Sequence, residues 1–430
     1  MYHIFKKNVI FIKSLSSISI KVLSAALSMI LLVLLAKIMN EREFGLYTTA
    51  IAFITILSMP ISMGLSTLIV RNTAYHYEKK EFSSIKALWV WCFYVIIIPV
   101  VLLVLIACGL LISNDSQLIS SSVNYLTIAC LFLALFMGLT DISASAIKGL
   151  GYVILGQIPS LIMRPLLLAL FLFTFYISVI TVSAREAILL HVLASLCALV
   201  SVNCFIINKV DKNILRVKEK HFQSALWRKS VLPLTMASGL QLLNSQLDIV
   251  MVGYFTNLEN VAYYKAASSI SMLVVFGLHA MQPIISQKIA VLFAKREING
   301  ILSLNLTGVA ISSLVSVPLV LIILFQGDMV LTYLFGESYT KAYLALNILS
   351  IGQLVNSIFG FGVSILIMIN KEGKTLISLI AATILNILGN VILIPIFGIE
   401  GAAISTAITT ISLSLFIWYF IYKYFFKKHR

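Results

Sequence analysis

Residues Lys13 to Met39 read KSLSSISIKVLSAALSMILLVLLAKIM, and their polar residues are not scattered. Ser14, Ser17, Lys21, Ser24 and Ser28 follow one another at steps of three, four, three and four. On an α-helix those steps make one stripe, with leucine, isoleucine and valine around the rest. The apolar run is about twenty residues or more, the length of a membrane-spanning helix. A spanning helix with one polar stripe and a lysine in it turns that stripe to a bundle interior or a wet cavity. Lys6, Lys7 and Lys13 precede the run in the manner of a signal peptide, but its length makes it a retained first span.

The composition agrees. Of 430 residues, 60% are hydrophobic and only 11% charged, and the mean hydropathy is +1.04. Soluble domains carry roughly 25% charged residues, so a large soluble core is excluded. Net charge is +15. In a soluble protein that would suggest nucleic acid; here it reads as positive charge kept on the cytoplasmic side, and no nucleic-acid partner is expected. The five cysteines lie in or beside apolar runs without a C-x-x-C pair, and read as reduced packing residues. No phosphate-binding glycine loop, nucleophile elbow or HExxH is present. Neither a catalytic residue nor a metal site is expected. His191 and His279 sit in spans, as core histidines or as proton relays.

Twelve spans are expected, near 14–38, 44–70, 86–112, 118–146, 152–179, 185–207, 230–253, 260–287, 301–325, 341–369, 375–397 and 401–423. The segments between them alternate in charge, every second one being basic, which places both termini in the cytoplasm. The expected fold class is an all-α polytopic membrane protein with twelve transmembrane helices in two pseudo-symmetric six-helix lobes. The first lobe covers 1–208, a basic cytoplasmic loop 209–229, and the second lobe 230–430. Parts of the two halves look alike. FGLYTTA (Phe44 to Ala50) is echoed by VAYYKAA (Val261 to Ala267), and KGLGYVILG (Lys148 to Gly156) by KEGKTLISL (Lys371 to Leu379). Lys21, Ser24 and Ser28 are echoed at the same spacing by Gln241, Asn244 and Asp248. Six spans per half make the repeat parallel, with a substrate path expected between lobes, lined by the first and seventh spans.

Charges inside spans carry the most information. Lys21, Asp141, Arg164, Asp248 and Lys265 each cost about 2.5–3.5 kcal/mol at mid-bilayer on insertion scales. Lys21 and Arg164 are candidate cavity cations. Either they pair with intramembrane acids, or their surplus meets a substrate phosphate. Asp141, near a helix end, could equally serve as a cap or loop contact. Asp248, Asn390 and Thr406 fall at similar depth, with Asn386 about a turn deeper. One carboxylate with amide and hydroxyl oxygens suits a small hard cation such as sodium. The alternatives are a proton carried on Asp248, or a hydrogen-bonded helix contact with an Asp248–Lys265 ion pair.

Ile394 to Thr406, IPIFGIEGAAIST, is similar to the P-x-x-G-x-x-GAA-x-x-T segment of twelve-span polysaccharide flippases, as is QLLNSQLDIVMVGYF followed by VAYYKAA (Gln241 to Ala267). The chain resembles the Wzx-type flippases of O-antigen and capsule biosynthesis, relatives of multidrug MATE exporters and MurJ-type lipid II flippases. The resemblance implies a transporter, not an enzyme. It would move an undecaprenyl-diphosphate-linked oligosaccharide from the cytoplasmic to the periplasmic leaflet of a bacterial inner membrane. It implies alternating access driven by a sodium or proton gradient, without a cofactor. A polysaccharide polymerase and a chain-length regulator would be partners.

The lipid II relatives place cations in the first and eighth spans, where Lys21 and Lys265 stand here, as lysines without an arginine's bidentate fork. The expected substrate-binding set is therefore Lys21, Arg164, Lys265, Ser17, Ser24, Ser28, Gln241 and Asn244. The expected ion-coupling set is Asp248, Asn386, Asn390 and Thr406. An exporter of cationic drugs is the alternative on the same fold, and the surplus of cavity lysine and arginine argues against it. A membrane polymerase or ligase would need a sizeable periplasmic loop, and no outside loop exceeds about fifteen residues.

Overall fold

The computed structural model describes residues 2–62, 64–112, 121–178, 181–210, 214, 224–369 and 371–425. Their side chains are described except at 2–18, 107–112, 121–125, 209, 224–226, 228–230, 232–234, 237 and 283. The chain is helical, with no strand among the described residues. Among the described residues fifteen α-helices follow in order. They are α1 (Tyr2–Ile38), α2 (Glu41–Ser62), α3 (Leu65–Glu78), α4 (Phe82–Ile112), α5 (Ser121–Gly149), α6 (Arg164–Ile177), α7 (Ala184–Lys209) and α8 (Ser224–Phe255). Then come α9 (Leu258–Ser271), α10 (Phe276–Ala294), α11 (Ile298–Phe335), α12 (Tyr343–Phe359), α13 (Gly362–Met368), α14 (Glu372–Phe397) and α15 (Ile399–Phe425).

Ten helices among the described residues are long and apolar enough to cross a membrane, and α9 with the start of α10 makes an eleventh if a bent pair counts as one span. The remaining expected span, the seventh at 230–253, corresponds to α8. Its Gln241, Asn244, Ser245, Gln246 and Asp248 keep it below the hydropathy of the others. Ile98, Leu314 and Phe325 are 74%, 76% and 81% exposed, a surface suited to lipid rather than water.

Local chemistry explains where the helices start and break. Asn40 Oδ1 accepts from the Glu43 amide at 2.8 Å, capping α2, whose first turn holds Glu41 and Glu43. The expected span 44–70 is in fact two helices, parted at Gly64. Its φ of 69° favours glycine, and a Cβ there would run into Thr235 and come within 2.9 Å of the Val231 carbonyl. The expected span 152–179 starts later, at a π turn over Pro159–Met163, and Pro165 then opens α6. Ser183 and Glu186 close a capping box on α7, and Glu43 Oε2 accepts from the Ala184 amide at 2.7 Å.

Contacts divide the chain into two compact units. The N-terminal unit is Leu15–Glu43 with Ala50–Leu243; the C-terminal unit is Met1–Ser14, Phe44–Thr49 and Asn244–Arg430. The division falls inside α8. Ile61, Leu68, Leu88, Cys92 and Trp227 belong to the N-terminal core, with the rings of Trp91 and Trp227 5.5 Å apart. In the C-terminal unit the two echoing stretches come together: Phe44 and Tyr263 both meet the ring of Tyr339, at 6.4 and 5.4 Å. Gly45 permits this, because a Cβ would enter the Leu258 carbonyl, whose carbon would be 2.6 Å away.

The bent pair breaks by 56° between Ser271 and Phe276. A break frees carbonyls that lipid cannot satisfy. The Val274 carbonyl accepts from Ser316 Oγ at 2.7 Å, and Ser316 meets Ser357 Oγ at 2.9 Å. Ser316→Ala should therefore cost about 1 kcal/mol. A lowered thermal unfolding midpoint of the purified protein would register it, and an unchanged midpoint would remove Ser316 from this role.

Candidate functional site

The most developed polar site lies in the C-terminal unit, around Asp248 of α8. The carboxylate is 6% exposed, and both of its oxygens are hydrogen-bonded. Oδ1 accepts from Asn386 Nδ2 at 3.1 Å and from Asn390 Nδ2 at 2.8 Å. Oδ2 accepts from Thr406 Oγ1 at 2.7 Å and from the Tyr264 hydroxyl at 3.1 Å. A carboxylate offers about four acceptor positions, so this one is fully coordinated by donors.

The elements that deliver these residues are legible in the sequence. Asn386 and Asn390 stand one turn apart on α14, which puts both amides on one face. Asn390 Nδ2 also lies 3.2 Å from Asn386 Oδ1. Thr406 comes from the IPIFGIEGAAIST segment, whose glycines now have a physical reason. Gly398, at φ 61°, turns the chain between α14 and α15. Gly401 lets α15 start against α14: a Cβ would run into the Leu393 carbonyl, with its carbon at 2.5 Å. Ala402 and Ala403 are fully buried in that seam, and Ser405 Oγ donates to the Asn386 carbonyl at 3.1 Å. The motif is thus a tight helical hairpin that brings Thr406 to Asp248.

All four residues of the expected ion-coupling set are brought together. A fifth residue, Tyr264, joins them. It sits in VAYYKAA, where nothing in the spacing separates one tyrosine from the next, yet its ring is almost wholly buried and its hydroxyl reaches both Asp248 and Thr406. Lys265 follows it by one residue, about 100° further round the helix. Among the described residues, no ion pair joins Lys265 to Asp248.

The expected substrate-binding residues are dispersed by comparison. Lys21 and Ser28 are exposed and Ser24 is half-buried on α1, so the stripe is not packed in a core. The side chain of Ser17 lies outside the described residues. Gln241 is exposed in the N-terminal unit, and Asn244 is half-buried in the C-terminal unit. Arg164 is half-buried at the start of α6, within electrostatic reach of Asp141 and His191. Asp141 thus has both Arg164 and Lys148 within electrostatic reach. Among the described residues no group of three or more His, Cys, Asp or Glu could hold a metal ion.

With this geometry established, comparisons with known proteins add a lineage. The profile of a family described as polysaccharide biosynthesis protein matches residues 10–287. The probable low-salt glycan biosynthesis flippase Agl15 of Haloferax volcanii is 27% identical over 165 residues, 38% of this chain and 35% of its own. An uncharacterized membrane protein of Methanocaldococcus jannaschii is 30% identical over 183 residues, 40% of this chain and 34% of its own. The chain spans about a third of the length of these relatives.

Solved structures share the fold along nearly the whole chain. A multidrug resistance MATE family transporter of the MOP superfamily, inward-facing, gives a TM-score of 0.76 at 15% identity, covering 96% of this chain and 99% of that one. The lipid II flippase MurJ, inward closed, gives 0.70 at 16% identity, covering 94% and 87%. A MOP superfamily transporter from Pyrococcus furiosus gives 0.64 at 16%, covering 95% and 94%. At these identities the likeness establishes the fold, a MATE-like multi-pass membrane architecture.

Proposed function

The chain belongs to the polysaccharide biosynthesis protein family, and from that membership we propose that it is a flippase for polysaccharide precursors. The cargo is an undecaprenyl-diphosphate-linked oligosaccharide, an O-antigen or capsule repeat unit. It moves from the cytoplasmic to the periplasmic leaflet of a bacterial inner membrane, with both termini of the chain in the cytoplasm. The reading rests on the family, on a relative named as a glycan biosynthesis flippase, and on a fold common to transporters of the MOP superfamily. It also rests on charge: the chain is +15 overall, and Lys21, Arg164 and Lys265 place cations within spans, which suits a diphosphate better than a cationic drug. The protein performs no covalent chemistry; its work is alternating access.

A cation gradient drives the cycle, and the observation that carries this part is the Asp248 cluster. Asp248 supplies one carboxylate, and Asn386, Asn390 and Thr406 bring two amides and a hydroxyl within hydrogen-bonding distance of it. Carbonyl, carboxylate and hydroxyl oxygens are the ligands that hard monovalent and divalent cations take. Amide flips and hydroxyl rotation would turn the present donors into such ligands.

Lys21 provides the test of the cargo. It is exposed, so its removal leaves packing intact. Lys21→Ala is expected to abolish surface polysaccharide in cells that depend on this protein, while the protein remains in the membrane. Full polysaccharide display by that variant would contradict a role for Lys21 in binding the diphosphate.

A further inference from the structure

Each hydroxyl beside Asp248 carries one hydrogen and has two acceptors within reach. Tyr264 has Asp248 Oδ2 at 3.1 Å and Thr406 Oγ1 at 3.2 Å. Thr406 has Asp248 Oδ2 at 2.7 Å and the Ala402 carbonyl at 2.9 Å. Of the four combinations, two are the extremes. In the first, both hydroxyls donate to Oδ2, and the carboxylate is closed by four donors. In the second, Tyr264 donates to Thr406, Thr406 donates to Ala402, and Oδ2 is bare. Neither arrangement strands a hydroxyl hydrogen, and passing between them takes rotation about C–O bonds with no movement of the backbone.

The amides have matching freedom. Asn390 Nδ2 can donate to Asp248 or, at 3.2 Å, to Asn386 Oδ1. Asn390 Oδ1 is buried with no hydrogen-bond partner among the described residues. An acceptor enclosed and unmatched in this way is costly unless something positive satisfies it.

We propose that Tyr264 is the gate of this cation site: its hydroxyl closes Asp248 when no cation is held and swings to Thr406 when one enters. The proposal rests on the reading of Asp248 as a cation ligand. The phenol is a competitor for Oδ2, not a ligand. Thr406, with its hydrogen turned to Ala402, presents lone pairs both to the cation and to Tyr264. The arrangement also explains why the gate is a tyrosine on α9. Asp248, the asparagines and Thr406 come from α8, α14 and α15, whereas Tyr264 comes from the first half of the bent pair. Its release on cation entry removes a hydrogen bond between α9 and α8, which gives ion occupancy a route to the bend.

The test uses the purified full chain in detergent, with thermal unfolding followed across a sodium chloride titration and choline chloride holding ionic strength constant. Sodium should stabilise the wild-type protein and leave Asp248→Asn unmoved. If sodium stabilises neither, Asp248 holds no sodium and the gate falls with that site, while the flippase reading stands. Given a sodium response, Tyr264→Phe should lower the half-saturating concentration about tenfold, equivalent to about 1.4 kcal/mol. An unchanged or raised value would overturn the gate and leave the cation site standing.

Thr406→Val should weaken sodium binding in the wild-type background and weaken it less in the Tyr264→Phe background, because its role as Tyr264's acceptor is then already lost. Equal weakening in both would overturn the hand-over. A measurement on the wild-type protein covers the case in which Tyr264→Phe does not fold. The sodium-induced infrared difference spectrum, with ring-labelled tyrosine, should contain a shifted tyrosine C–O band; a spectrum without a tyrosine band would overturn the proposal.

Discussion

Asp248→Asn is expected to abolish gradient-driven transport while the protein still folds. Folding survives because every neighbour can adapt. The amides of Asn386 and Asn390 can flip, and the hydroxyls of Tyr264 and Thr406 can turn to Thr406 Oγ1 and the Ala402 carbonyl, at 3.2 and 2.9 Å. The charge has no such substitute. A cation about 4 Å from a carboxylate at an effective dielectric near 20 is held by about 4 kcal/mol. At 1.4 kcal/mol per decade, its loss weakens cation binding roughly a thousandfold. The measurement is substrate movement in vesicles with and without an imposed sodium gradient. Unchanged gradient dependence in Asp248→Asn would exclude Asp248 as the coupling residue.

Gly401→Ala should have the largest effect on assembly. A single Cβ there enters the Leu393 carbonyl, and the obstacle is backbone, which cannot rotate aside. The start of α15 must then move off α14, taking Ala402, Ala403 and Thr406 with it. A cost of about 3 kcal/mol or more is expected, seen as loss of monodisperse protein and of any sodium response. Gly373→Ala is the control: a Cβ at Gly373 meets open space. Equal behaviour of the two variants would show that the α14–α15 hairpin tolerates separation.

Particular residues show what could be read in advance. The depth of Asp248, Asn386, Asn390 and Thr406 follows from helix rise alone, so their meeting was legible once the spans were set. The all-helical membrane fold followed from the composition and the long apolar runs. The hinge positions were less accessible. Gly64 marks its own break with a positive φ, although one apolar run covers both sides of it. The break after Ser271 has no glycine or proline at all: Met272, Leu273, Val274 and Val275 would continue a helix. It is held instead by Ser316, 42 residues from the carbonyl it satisfies. No local pattern encodes that contact.

Tyr264 escaped for a similar reason. An aromatic residue in an apolar span reads as packing, and only the fold shows that its hydroxyl ends on a carboxylate. Lys21 is the reverse case. Its stripe was evident in the sequence, and its exposure on α1 shows that the polar face is not used in the core of the N-terminal unit.

The most direct test of the account is leaflet transfer in proteoliposomes containing the full chain and a fluorescent undecaprenyl-diphosphate-linked oligosaccharide. Accessibility of the sugar to an external lectin reports the transfer, measured with and without a sodium or proton gradient. Protein-dependent transfer is expected, accelerated by one of the two gradients and lost in Asp248→Asn, with no movement of a cationic dye under the same conditions. Gradient-driven movement of the dye, with the lipid-linked sugar left in its original leaflet, would contradict it.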